Sequence, residues 1–153
     1  MSDDAIFPAA VTVLLGRLAL EEGTRRFAYN DATGKTVSCK PQGNLSIGRG
    51  INLETGFDDA EMDFLEQHRV MLAYNQIIKC WWWQEDQPVR GSVILDVAYN
   101  DGVESLLHFP KMLAAYGAKD WHTSAAELLD SDAARDLPPR YARLSLVLST
   151  GLP

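Results

Sequence analysis

The run LALEEGTRRFAYND, residues 18–31, changes character at its middle, and that change sets the reading of the whole chain. An apolar, helix-like stretch ends in two adjacent glutamates and a glycine, and a short extended piece then leads to an aspartate. Reading backwards, Val11, Leu14, Leu15 and Leu18 share one helical face, and Glu22 falls on it too. The spacing predicts a helix over roughly 5–22, with Gly23 as its C-cap. Glu21 lies one turn from Arg17 and is expected to pair with it on a wetter side. Glu22 is then the carboxylate held against apolar surface. A helix C-terminus is where negative charge is least welcome, and partial desolvation adds to the penalty. Both effects favour a protonated acid, which is the state a general acid needs.

Beyond Glu22 the period changes. The pieces RRFAYND, KTVSCK and LSIGRGINL alternate with turn signals at TGK and PQGN, which predicts a small three-stranded antiparallel sheet. Asp31 stands at its first turn and Ser46 on its third strand. On a polar turn Asp31 is expected to stay ionised. Two carboxylates pushed to opposite protonation states suit glycoside hydrolysis, with a hydroxyl such as Ser46 to hold a water. On spacing alone a structural reading of both carboxylates stands beside the catalytic one.

At GFDDAEMDF a second helix opens. Asp58 as N-cap and Glu61 three residues later make a capping box, and Phe57 can staple onto Met62. This helix is expected to run to about Cys80, with its acids on a solvated face. Trp81, Trp82 and Trp83 suggest carbohydrate stacking, but three consecutive positions cannot share a face, so packing inward is the better reading. QPVRGSVILDVAYNDG, residues 87–102, reads as the most buried helix. Shorter helices follow at about 109–117, 120–130 and 138–149. The expectation is an α+β chain of one domain, 1–153: a β lobe at about 24–55, joined by a long helix to a helical lobe at 58–150 that includes the N-terminal helix.

Composition excludes several classes. Of 153 residues, 46% are hydrophobic and 23% charged, as in a globular chain with a real core. The net charge of −7 is concentrated between residues 54 and 101, where 10 acids face 3 bases, so no basic nucleic-acid footprint exists. Cys39 and Cys80 make no disulfide framework, and with His68, His108 and His122 scattered no metal or cofactor is expected. The run AIFPAAVTVLLGRLAL has Asp3 and Asp4 before it and Arg17 within it, unlike a signal peptide, and it is too short to span a membrane. It is expected to be a buried amphipathic helix of a protein made in the cytoplasm.

EEGTRRFAYNDATG followed by LSIGRGINL resembles the opening of the phage-type lysozymes, the endolysin muramidases of glycoside hydrolase family 24. That family shows Glu-Gly-x-Arg, an aromatic-x-Asp, then Thr-Ile-Gly-x-Gly. GFDDAEMDFLEQHRVMLAYNQI resembles its interlobe helix, and QPVRGSVILDVAYNDGVESLLHFPKML its central buried helix. KDWHTSAAELLDSDAARDLPPRYARLSLVLSTG resembles its C-terminal helices, including the Pro-x-Arg-x-x-Arg element. The resemblance runs in the family's order along nearly the whole chain.

It implies a lysozyme-like fold and an inverting hydrolase for the β-1,4 bond between N-acetylmuramic acid and N-acetylglucosamine in peptidoglycan. Glu22 would be the general acid and Asp31 the group activating water on the opposite face. Ser46 stands where the family usually has threonine. Arg140 would approach Glu22 and constrain it. Asn52 and Tyr99 match glycan-cleft positions; Met112 and Glu127 match further ones by order only, since their residue types differ. The resemblance further implies a monomer without membrane insertion, waiting in the host bacterial cytoplasm until a holin gives access to the wall. The hairpin TGKTVSCKPQGN is longer than in the shortest members, and Ile51 stands where some relatives have histidine. A lytic transglycosylase is the second enzymatic reading, though it has no need of Asp31. A catalytically inactive peptidoglycan-binding protein on the same scaffold is the third.

Overall fold

The structure is a computed structural model that describes residues 7–21, 25–29, 33, 35–36, 45–49 and 51–153. Among these residues the chain is α+β, with eight α-helices and a two-stranded antiparallel sheet.

Helix α1 is Ala9–Glu21. It starts later than its apolar run because Pro8 holds the preceding residue out of helical conformation; the Pro8 carbonyl accepts the first helical bond from Thr12, 3.0 Å away. Val11, Leu14 and Leu18 are buried, as their spacing predicts. Arg17, whose expected partner Glu21 has a side chain outside the described ones, is drawn towards the core. It turns inward, 14% exposed at its side chain, to reach Asp96 rather than a wetter surface. Gly23, the expected cap, lies outside the described residues.

Strands β1 (Ser46–Ile47) and β2 (Ile51–Asn52) form a tight hairpin, with Ser46 opposite Asn52 and Ile47 opposite Ile51. LSIGRGINL is therefore two strands with a turn, where its alternation suggested one. Gly48 makes the reversal: at φ +61° it takes a left-handed conformation that residues with a Cβ seldom adopt. Ser46 consequently stands on the first strand of this sheet. The earlier extended pieces contribute an isolated antiparallel bridge, Tyr29 to Thr36. Residues 37–44, most of the long hairpin, lie outside the described residues.

Helix α2 (Asp59–Ile77) begins with the expected capping box. The Asp58 carboxylate accepts from the Glu61 amide at 2.8 Å, and the Asp58 amide donates to Glu61 Oε2 at 2.9 Å. Burial along α2 is uneven: Val70, Ala73, Tyr74 and Ile77 are buried, and no residue of its first half is. After α2 the three tryptophans diverge. Trp82 is 4% exposed, Trp83 is half-buried with its Nε1 donating to Glu85 at 2.7 Å, and Trp81 is 77% exposed.

Helix α3 (Pro88–Asp101) is the centre of the core, with every residue from Gly91 to Ala98 buried. Helices α4 (Val103–Leu107), α5 (Pro110–Gly117), α6 (Trp121–Leu129), α7 (Asp132–Asp136) and α8 (Pro138–Thr150) complete the chain. The single-turn helices α4 and α7 are too short to carry an apolar period and have no counterpart in the sequence-based expectation. α1 and α8 both pack on α3, and α6 packs between α5 and α8. One apolar cluster draws on all eight helices, from Ala10 to Leu148. Among the described residues no helix is long and apolar enough to cross a membrane.

Candidate functional site

The sequence-predicted residues that the structure describes fall into four places. Glu22 and Asp31, the two carboxylates, lie outside the described residues. Ser46 and Asn52 are brought together by the hairpin: as directly opposed residues of an antiparallel pair they project from the same face. Asn52 also has a local task. Its Oδ1 accepts from the Glu54 amide at 2.9 Å, capping the 3₁₀ turn Leu53–Thr55 that carries the chain towards α2.

Tyr99 lines a hollow of about 490 Å³ between the end of α1, the first half of α2, the end of α3 and residues 25–29. Leu18 and Ala19 contribute from α1, Arg25 and Tyr29 from the segment after it, and Tyr99 and Asn100 from α3. In sequence these lining residues flank positions 22–24 on both sides. The Arg25 guanidinium lies 4.5 Å above the Tyr29 ring, so an aromatic and a cation form one wall. Asp59, Asp63, Glu66 and Arg69 of α2 form the opposite, mostly acidic wall.

Met112 and Glu127 meet in a separate hollow of about 570 Å³, at the start of α5 and facing α6 and α7. Met112 is 1% exposed and its carbonyl accepts from Ser124 Oγ at 3.0 Å, so it forms the floor of that hollow. Glu127 is half-buried at its rim, with His108, Lys111 and Arg135 among the other charged or titratable residues of the lining. The two hollows are lined by different residues.

Arg140 is held by a residue that the sequence reading did not single out. Its Nη2 donates to Asp96 Oδ1, while Arg17 Nη2 donates to Asp96 Oδ2 at 2.7 Å. Asp96 is only 1% exposed, so a buried carboxylate joins α1, α3 and α8. Asn100 Nδ2 also reaches Asp96 Oδ1, at 3.2 Å, and Arg17 takes a further hold on the Ser92 carbonyl at 3.0 Å. Beside this centre Tyr141 Oη donates to Asp101 at 2.5 Å, and burial together with that hydrogen bond raises the phenol's pKa. The signal for Asp96 was present in the chain. A lone aspartate interrupts the apolar run VILDVA, a lone arginine interrupts the apolar run of α1, and buried charges require partners.

Among the described residues no three His, Cys, Asp or Glu side chains converge as a metal site would require. Cys80 is a free, half-buried thiol, and Cys39 lies outside the described residues. The chain matches no protein-family model, and no curated protein matches it significantly.

Proposed function

We propose that the chain is an inverting muramidase, an endolysin that hydrolyses the β-1,4 bond between N-acetylmuramic acid and N-acetylglucosamine in peptidoglycan. The observation that carries the reading is the hollow of about 490 Å³, in which the residues flanking Glu22 share one cavity with Tyr99. Tyr99 comes from α3, far along the chain, and the resemblance that makes Glu22 the acid also matches Tyr99 to the glycan cleft. The uneven burial of α2 supports the same reading, since a helix buried only in its second half suits a connection between two lobes. The paired Ser46 and Asn52 support it as well.

In this mechanism Glu22 protonates the glycosidic oxygen. Asp31 takes a proton from a water on the far side of the sugar while Ser46 Oγ orients that water, so the anomeric configuration inverts. Asn52 and Tyr99 contact the glycan, Met112 and Glu127 extend the contact on the helical side, and Arg140 orients Glu22. The fold of the reading is a lysozyme-like pair of lobes in one domain, with a third strand in the β lobe. The protein acts as a monomer without cofactor, from the host bacterial cytoplasm, reaching the wall through a holin-dependent route and lysing the host cell.

The test is mass spectrometry of soluble fragments released from purified peptidoglycan by the wild type, Glu22→Gln and Asp31→Asn. Reducing N-acetylmuramic acid ends from the wild type alone are the expected outcome. Anhydro ends that survive Asp31→Asn would instead make the protein a lytic transglycosylase. Pelleting with the wall but releasing nothing would leave a binding protein on this scaffold.

A further inference from the structure

We infer that Trp81 and the Lys119–Asp86 ion pair form a second carbohydrate-binding surface, apart from both hollows. The indole stacks on a sugar ring, and the paired charges hydrogen-bond the ring's polar substituents. That the sugar is an N-acetylhexosamine of the wall rests on the muramidase reading; the stacking surface itself does not.

Of the four tryptophans Trp81 alone is exposed, at 77%, while its neighbours Trp82 and Trp83 are drawn into or against the core. The ring is placed, not loose. A Cβ on Gly117 would stand 3.0 Å from Trp81 Cζ3, so the indole rests against a residue whose missing side chain makes the space for it. Gln84 holds the two segments together, its Nε2 donating to the Gly117 carbonyl at 3.0 Å and to the Trp82 carbonyl at 3.4 Å. Two residues beyond Gly117, Lys119 has a φ of +59°, the left-handed position after a helix that glycine usually fills. Its amide donates to the Tyr116 carbonyl and its Nζ to Asp86 Oδ2 at 2.7 Å, so the side chain is directed back towards the segment that carries Trp81.

A pyranose has an apolar C–H face and a polar rim, and a flat aromatic ring beside fixed donors and acceptors matches both. An ammonium has three donors and a carboxylate several acceptor sites, so the pair retains capacity after satisfying each other. A membrane surface fits less well: Lys79 and Lys119 are balanced by Glu85 and Asp86, which leaves no net attraction for anionic lipid. Position makes the surface a separate one. The hollow near Tyr99 uses α2 no further than Arg69, and the other uses α5 no further than Met112. Trp81 instead follows the C-terminal end of α2, and Gly117 is the last residue of α5. A long polymer held at two places leaves more slowly than one held at either alone.

The experiment uses the chain with Glu22→Gln, so that bound wall is not digested. The indole N–H resonances are followed by NMR during titration with the β-1,4 pentamer of N-acetylglucosamine, and pelleting with insoluble peptidoglycan is measured as a function of concentration. The Trp81 resonance is expected to shift. Trp81→Leu, which keeps apolar area without an aromatic face, is expected to weaken pelleting by about fivefold or more, with Trp81→Tyr within about twofold of the parent. A Trp81 resonance that stays in place throughout the titration overturns the inference. So does a Leu variant that pellets as well as the Tyr variant, which would make the ring a merely apolar contact. Binding to phosphatidylglycerol vesicles that Trp81→Leu abolishes, without any response to the sugar, would overturn it in favour of a membrane contact. Fragment release by the chain with Glu22 intact is scored separately: its absence removes the muramidase reading, while a sugar-dependent shift at Trp81 still upholds this surface.

Discussion

Helix α3 and the β1–β2 hairpin are opposite solutions to holding a backbone in place. From Gly91 to Ala98 the helix has no exposed residue, whereas every described residue from Leu45 to Ile51 is exposed. Ile47 and Ile51 face each other across the hairpin at 56% and 52% exposure, so their pairing shields little apolar surface. Short-range devices define the hairpin instead: the turn at Gly48, the Asn52 cap and the Leu53 amide donating to the Leu45 carbonyl at 2.8 Å. The difference is one of how much each contributes to stability. Burial in α3 supplies much of the folding free energy, and the hairpin presents Ser46 and Asn52 while contributing little to it.

The sharpest test of that contrast is a pair of truncations. Leu95→Ala, at a wholly buried site, is expected to lower unfolding free energy by about 2–5 kcal/mol in a denaturant titration. Ile51→Ala is expected to change it by no more than about 0.5 kcal/mol. Equal losses at both sites would break the comparison.

A smaller effect is expected where the helical region is tightest. A Cβ on Gly117 would stand 2.9 Å from Trp82 Cβ and 3.0 Å from its Cα, which leaves no room without shifting the backbone. Gly117→Ala is expected to cost about 1–3 kcal/mol and to alter tryptophan fluorescence. Gly16→Ala, which meets nothing within 4 Å, serves as its control and is expected to be neutral or mildly stabilising.

The smallest effect at neutral pH concerns Tyr116, wholly buried, with no hydrogen-bond partner for its hydroxyl among the described residues. Burial raises its pKa above the usual phenol value, with the Asp86 charge adding to the rise. Above pH of about 10 the unfolded chain releases this proton while the folded chain retains it, so stability falls as pH rises. Tyr116→Phe is expected to leave the melting temperature near pH 7 unchanged or slightly higher, and to make the alkaline decline shallower. An unchanged alkaline profile would assign that decline to other groups, Tyr141 foremost, whose pKa is also raised by burial.

Much of the helical architecture was legible because its signals are local. The Asp58–Glu61 capping box needs only a four-residue window, and the apolar run of α3 leaves no solvent-facing stripe. Pro138 and Pro139 likewise mark the start of α8, where missing amides are harmless. The hairpin was less legible because alternation reports which side a residue faces and says little about where a chain reverses. LSIGRGINL alternates well enough for one strand, yet Gly48 turns it back on itself. For the candidate site, the residue types on the hairpin and at the end of α3 could be named in advance. Their grouping could not: Tyr99 lines one hollow, and Met112 and Glu127 line another.

Arg17 shows why such groupings escape a linear reading. Helical spacing predicted a partner one turn away, at Glu21, and local geometry does allow such a pair. The guanidinium meets Asp96, 79 positions further along the chain, a partner that no local window contains. The sequence by itself determined roughly where the longer helices lie and which faces are apolar, and it carries two charges inside apolar runs. Only the tertiary structure decided that Arg17, Asp96 and Arg140 satisfy one another, because a buried charge can be partnered from any helix that packs against it, and that packing is long-range.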